Sequence, residues 1–266
     1  MRIDLRTSLT DVLGVSRGDL VSIVGAGGKT SLMYGLGKEL SLAGHRTLLT
    51  TTTRLLYPRP SEVSSVILGP ETDATARRIT GGMKSARTVL AGLKKVDTKI
   101  TGFSPEFVER LHSDDEERTV VAECDGAMGR SLKVPRETEP PLAGSTTVYI
   151  VVVGADSFHK PLTSREVFNP EDVARVAGVE LDSEVSQPVL MEAILSSESY
   201  LGRRPGGARL VILINKVDTG RFDQHCFRGG GSPLSIGLAL KEHPDVDRVA
   251  IGSLQGAGRS GFLVLR

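Results

Sequence analysis

Apolar residues along this chain fall into short runs, separated by polar turns and by stretches with a helical period. The runs at 20–24, 46–50, 119–122, 147–153, 209–214 and 248–251 read as strands. Several are near-continuous Val, Ile and Leu, the pattern of strands covered on both faces of a parallel sheet. A last edge strand is expected at 263–265. Helices are expected at 30–43, 105–111, 170–177, 187–196 and about 234–242. The first carries Leu32, Met33, Leu36 and Leu40 on one stripe and ends at Gly44. Strand and helix alternate, which predicts an α/β fold with helices packed over a parallel sheet. The stretch 57–103 is less regular. Short strands at 63–68, 87–91 and 99–101, with a helix near 74–79, could be a small β-rich excursion from that sheet. Segments 130–141 and 203–207 read as Pro/Gly-rich loops, and 229–231 as a flexible joint before Pro233.

Directly after the first run comes Gly25-Ala26-Gly27-Gly28-Lys29-Thr30. A buried strand, a glycine turn and a helix opening on Lys-Thr make a phosphate cradle. Loop amides point inward, the helix N-terminus adds positive potential and Lys29 supplies a full charge. Gly25, Ala26, Gly27, Gly28, Lys29, Thr30 and Ser31 are the candidate nucleotide contacts, with the Thr30 hydroxyl on Mg2+. The usual P-loop would place its first glycine at Ile23, so this loop is short. The match lies in the chemistry more than in the pattern. A plain strand–turn–helix corner, using glycine only for backbone freedom, is the bland alternative.

Two other strand ends carry chemistry. Val120-Val121-Ala122-Glu123-Cys124-Asp125-Gly126 ends in acids and a glycine. In nucleotide-hydrolysing folds the strand beside the phosphate-loop strand ends in an Asp that meets Mg2+. Asp125 fits that role, and Glu123, two residues earlier, is expected on the same side to orient water or hold the metal. The run 210–214 delivers Asn215-Lys216-Val217-Asp218 at the carboxyl end of the sheet, where ligands bind in open α/β folds. In GTPases the Asp of such a motif reads guanine, the Asn ties the loops together and the Lys stem lies over the base. This motif is the reason to prefer GTP over ATP. Thr50-Thr51-Thr52-Thr53-Arg54 offers hydroxyls to the metal or the γ-phosphate, as a switch segment does; Thr52 and Arg54 are the choices there. Lys133 and Glu139-Pro140 either line a second face of the site or are solvated loop charges. His159 reads as a surface residue and Cys124 as a small buried one. His225 and Cys226 have no nearby ligand set.

With 266 residues the chain is long enough for one large domain and is taken as a single P-loop NTPase-like unit over 1–266. The net charge of +1 gives no argument for nucleic acid or an acidic membrane surface. Two cysteines make no disulfide framework, and no apolar run approaches a membrane span. A reducing, cytoplasmic setting is the default expectation.

The series from Ile23 to Thr30, Thr50-Thr51-Thr52, Glu123-Cys124-Asp125-Gly126-Ala127, Leu132-Lys133-Val134-Pro135, Glu139-Pro140, Val153-Gly154 and Asn215-Lys216-Val217-Asp218 resembles the YqeC family. The resemblance runs from about 14 to 256, and the order of the motifs is more specific than any one of them. The sequence departs at Cys124, where a small residue such as Ala is expected, and 57–93 carries no matching motif. The resemblance implies an accessory protein of selenium-dependent molybdenum hydroxylases, partnered by such an enzyme or by its cofactor-maturation proteins. The short loop is also similar to that of the Mur ligases, which use ATP to activate a carboxylate; that similarity stops at the loop and its helix.

The expected fold is thus an α/β, P-loop NTPase-like three-layer sandwich with a mostly parallel central sheet. In the expected function, Lys29, Glu123 and Asp125 are catalytic. Thr30, Asp125 and Thr52 hold Mg2+, and Asn215, Lys216 and Asp218 read the base of GTP. An ATP-dependent ligase or transferase acting on a small metabolite is the second reading, and a nucleotide-binding scaffold the third.

Overall fold

The computed structural model describes residues 2–218, 231–255 and 261–266. His225, Cys226, Gly229 and Gly230 lie outside them. The chain opens with β1 (Ile3–Arg6), α1 (Leu9–Leu13), β2 (Leu20–Gly25), α2 (Lys29–Leu42) and β3 (Thr47–Thr51). Then come β4 (Arg54–Leu56), β5 (Val66–Leu68), α3 (Asp73–Ser85), β6 (Thr88–Gly92), β7 (Lys94–Val96) and β8 (Lys99–Thr101). They are followed by α4 (Pro105–Ser113), β9 (Thr119–Glu123), β10 (Val148–Gly154), α5 (Pro170–Ala177) and α6 (Gln187–Leu195). The last are β11 (Arg209–Asn215), α7 (Pro233–Glu242), β12 (Arg248–Ile251) and β13 (Phe262–Leu265).

Among the described residues one ten-stranded sheet runs β1-β13-β12-β11-β10-β2-β9-β3-β6-β5. Every pairing from β12 to β5 is parallel; only β13 and β1 run against their neighbours. The expected architecture is the one observed. Apolar side chains alternate to the two faces, as strand geometry requires. Val21, Ile23, Val121, Ile150 and Val211 meet α1 and α2 on one face. On the other, α5, α6 and α7 cover β10 to β12, while α3 and α4 cover β3, β6 and β9. The α2 stripe Leu32, Met33, Leu36 and Leu40 is wholly buried, each side chain contributing roughly 1.5–3 kcal/mol of burial free energy.

The sheet extends beyond expectation at both edges. β13 is not the last strand, because β1 pairs outside it with Ile3 opposite Leu265. The period of β1 is inverted: Ile3 and Leu5 are 50% and 71% exposed while Asp4 and Arg6 are half-buried, so the apolar positions mark no buried face. At the other edge, the stretch 57–103 divides. Val66–Leu68 and Thr88–Gly92, with α3 between them, join the main sheet beside β3. Among its described strands β8 and β7 stand off and, with β4 just before the stretch, form a separate three-stranded antiparallel sheet.

Candidate functional site

Parallel pairing brings the carboxyl ends of β2, β9, β10 and β11 to one edge, where ligands bind in open α/β sheets. At that edge opens a cleft of about 780 Å3. One wall is Gly27–Ser31 with Glu123; the facing wall is Thr53, Arg54, Leu55 and Leu56 with Lys99 and Thr101. Gly126–Arg130, Glu139 and Lys216 complete the lining.

The loop after β2 has no room for side chains. Gly25 sits at φ +94°, and a Cβ there would lie 2.2 Å from the Val152 carbonyl oxygen. Gly28 sits at φ +135°, and its Cβ would lie 2.3 Å from the Asn215 amide nitrogen. Both conformations belong to glycine, and both let the loop seat directly on the neighbouring strand ends.

The amide cradle is narrower than expected. The Gly25 amide donates to Asp125 Oδ2 (3.1 Å), that of Ala26 to the Val152 carbonyl (2.8 Å) and that of Gly27 to the Arg130 carbonyl (3.0 Å). These three are committed to the protein. The amides of Gly28, Lys29, Thr30 and Ser31, in the first turn of α2, have no acceptor among the described residues, as the first turn of a helix dictates. All four residues line the cleft.

Lys29 is buried and curls back. Its Nζ donates to the Gly25 carbonyl (2.5 Å) and lies 3.1 Å from Asp125 Oδ1. Asp125 is wholly buried and is shared: its Oδ2 also accepts from Tyr200 Oη (3.2 Å) and lies 3.4 Å from Lys133 Nζ. Lys133 donates in turn to Glu139 Oε2 (2.7 Å) and the Gly126 carbonyl (3.0 Å). Lys133 is thus no solvated loop charge; it is buried as the second cation on Asp125. Burial and the Asp125 charge push the Tyr200 phenol well up, so it remains a donor.

Glu123 and Asp125, expected on one side, have different partners. β9 ends at Glu123, so strand alternation no longer governs Asp125. Glu123 Oε2 accepts from Thr30 Oγ1 at 2.7 Å. The hydroxyl expected beside Asp125 is therefore on Glu123. Burial drives the Glu123 carboxyl above its ordinary range, with the Asp125 charge adding to it and Lys29 and the Thr30 hydroxyl opposing. Hard oxygen donors of this kind suit Mg2+, which takes one or two protein oxygens and shares the rest with phosphates and water. Thr52, the third expected metal ligand, is elsewhere. Its hydroxyl donates to the Pro141 carbonyl (2.8 Å), and Thr53 and Arg54 line the cleft instead. Thr51 closes β3 with its hydroxyl on the Glu123 carbonyl (2.7 Å). Among the described residues no group of three or more His, Cys, Asp or Glu could hold a metal alone.

Asn215 ties two loops: its amide donates to the Gly27 carbonyl (2.7 Å) and accepts from the Leu254 amide (2.9 Å). Lys216 reaches Ser131 Oγ (2.7 Å) and Asp156 Oδ2 (3.0 Å). Asp218 is exposed and accepts from Ser253 Oγ (2.6 Å). Residues 219–230 lie outside the described part. His159 is exposed and paired with Glu184. Burial pushes the Cys124 thiol up to about 12, so it is no nucleophile at neutral pH.

Sequence reasoning missed Tyr200, Ser131 and Ser253. Tyr200 and Ser131 stand in loops with no motif around them. Ser253 had a usable signal, since it follows the strand 248–251 at the same sheet edge.

A curated relative, "Uncharacterized protein YqeC" of Escherichia coli (strain K12), is 27% identical over 253 residues, 95% of this chain and 94% of its own. A solved structure, that of chloroplast FtsY from Physcomitrella patens, aligns with a TM-score of 0.43 at 11% identity. That alignment covers 96% of this chain and 64% of the other, and the likeness is too loose to carry a functional argument. The model of the YqeC protein family matches residues 21–171, which include the phosphate-type loop, the Thr30–Glu123 pair and the Asp125–Lys133 cluster; the chain belongs to the YqeC family.

Proposed function

We propose that this protein binds a magnesium nucleoside triphosphate in the cleft, GTP in preference to ATP, and hydrolyses it slowly. The observation that carries the reading is one helical turn, Gly28–Ser31, whose four amides have no acceptor among the described residues and which opens beside Lys29 and the Thr30–Glu123 pair. A helix N-terminus of this kind favours phosphate. Lys29 supplies charge to the β- and γ-phosphates, and Thr30 and Glu123 hold Mg2+, with Glu123 also orienting water. Held there by Thr30 and Glu123, Mg2+ would supply positive charge against the negative charge that develops during phosphoryl transfer. Asp125 acts on Lys29 rather than on the metal, with Lys133 balancing its charge when Lys29 turns to phosphate. Asn215 keeps the base-reading loop against the phosphate loop, and Asp218 reads guanine with Ser253 behind it.

Calorimetric titration with non-hydrolysable GTP and ATP analogues, each with Mg2+, tests this. A preference for GTP supports the base-reading role of Asn215, Lys216 and Asp218. A preference for ATP removes it. The cellular role follows the family resemblance: a nucleotide-driven step in maturing a selenium-dependent molybdenum hydroxylase. Loss of the gene should then lower the specific activity of that enzyme without lowering its polypeptide level.

The second reading, an ATP-dependent ligase or transferase, is favoured by the facing wall of the cleft, which supplies room and charge for another substrate. It requires turnover that a small metabolite stimulates.

A further inference from the structure

The wall facing the phosphate loop is built from the small sheet, and its register sorts the side chains. Arg54 and Lys94 both pair with Thr101, while Leu56 and Val96 both pair with Lys99. Directly opposed residues project from the same side of a sheet. One face therefore carries Arg54, Lys94, Lys99 and Thr101 around the apolar pair Leu56 and Val96. The opposite face holds Leu55 and Ile100, both buried in the core cluster that includes the α2 stripe, and Lys95, which lies over the Tyr57 ring.

Two properties set the outward face apart. Its cations are unpaired: Arg54, Lys94 and Lys99 have no side-chain or backbone acceptor among the described residues. Its apolar residues are exposed, Leu56 at 60% and Val96 at 41%, although Leu55 beside them is buried. Arg54, Leu56, Lys99 and Thr101 line the cleft, where Met128 is 81% exposed, while Lys94 and Val96 continue the same sheet face beyond the lining. The whole chain has a net charge of only +1, so this local excess of positive charge is not a general property of the surface. The cleft's volume suits a small molecule, and such sites combine apolar contact with a few placed charges.

We propose that this face is a second ligand site, for a small organic anion in which a phosphate or carboxylate is carried on an apolar ring or chain. The charged group meets Arg54, Lys99 and Lys94, and the apolar body lies on Leu56 and Val96. The site shares its cleft with the phosphate loop, so the anion lies beside a bound nucleotide. That placement rests on the function proposed above; the anion site itself does not.

The test uses anilinonaphthalene sulfonate, an aromatic body with one anionic group, titrated by fluorescence into the full chain. Titrations are run without nucleotide and with saturating Mg2+ and a non-hydrolysable GTP analogue. One saturable site is expected under both conditions. The double variant Lys94→Glu/Lys99→Glu should weaken it at least about tenfold, since two charge-assisted contacts are replaced by repulsion. Leu56→Asp should weaken it about fivefold through the lost apolar contact. Both variants should keep the wild-type urea midpoint and GTP-analogue affinity. Probe binding that ignores both variants overturns the proposal. So does the absence of saturable binding, the result expected if the wall instead docks an acidic protein surface. Displacement of the probe by nucleotide, with both variants losing nucleotide as well, overturns it too, because the wall would then read the nucleotide itself. Probe binding that depends on Lys94 and Lys99 in a protein that binds no nucleotide upholds this proposal and removes the nucleotide reading.

Discussion

The two walls of the cleft are built on opposite terms. On the phosphate-loop wall, charge is buried and satisfied. Lys29, Asp125 and Lys133 are buried and, with half-buried Glu139, form a connected chain of ion pairs, and glycines bring backbone to within contact of backbone. On the small-sheet wall, Arg54 and Lys99, with Lys94 beside them on the same sheet face, are exposed and have no acceptor among the described residues. The first wall has little freedom to change, since a buried charge that loses its partner is costly. The second has no internal obligations, so its residues answer to whatever binds there. Replacements should accordingly be damaging to folding on one side and silent on the other.

Removing the shared carboxylate breaks the comparison most sharply. Asp125→Ala leaves Lys29 and Lys133 buried without it, and should lower stability by about 3–5 kcal/mol in urea unfolding. If the midpoint stays unchanged, the wall is not held by its ion pairs. Lys29→Ala comes next. It should reduce affinity for a magnesium GTP analogue by about 100-fold in calorimetry, the scale of a charge-assisted phosphate contact. Full retention of affinity would dispose of the phosphate role. Asp218→Asn should weaken GTP by roughly tenfold or more and shift preference toward xanthine nucleotides, on the scale of one bidentate base contact. An unchanged preference would detach Asp218 from base reading.

A smaller effect separates burial from ligation at Glu123. Burial raises its folded-state pKa above the unfolded value. The folded protein therefore holds that proton more tightly, and stability is lost as pH rises from the ordinary Glu range through the raised value. Glu123→Gln abolishes this loss. Its urea midpoint should exceed that of the wild type at pH 8 and approach it at pH 4.5, while its magnesium-nucleotide affinity falls. A variant that parallels the wild type across this range would show that Glu123 does not carry the dependence. The smallest effect belongs to the other wall: Lys94→Glu/Lys99→Glu should move Tm by less than about 2 °C, as exposed substitutions do. A larger shift would mean that this wall is structurally committed after all.

How well each region could be read follows the same division. The central strands β2, β3, β9, β10, β11 and β12 were legible because burial on both faces leaves short, mostly apolar runs rich in Val, Ile and Leu. The glycine loop after β2 was legible because glycine alone tolerates positive φ at such close approach, as at Gly25 against the Val152 backbone and Gly28 against the Asn215 side chain. β1 was not, since its apolar residues face solvent and its charges are half-buried. The stretch 57–103 was harder to read because strands of three residues carry no period: Val-Ile-Leu of β5 joins the main sheet and Lys-Ile-Thr of β8 does not. Within the site, β9 ends at Glu123, so period alone does not place Asp125; Glu123 meets Thr30, and Asp125 meets Lys29 and the Gly25 amide.

The sequence by itself determined the alternating α/β order, the place of the glycine loop after β2 and the set of strand ends that meet there. Those are local properties, dictated by hydrophobic period and by the backbone freedom of glycine. Only the tertiary structure decided the pairings: Thr30 with Glu123, Asp125 with two lysines and Tyr200, and the cations of a small sheet facing the loop across one cleft. Such pairings join residues up to about a hundred positions apart, and they depend on which strand lies beside which. No local pattern records that, because it is settled by the packing of the whole sheet.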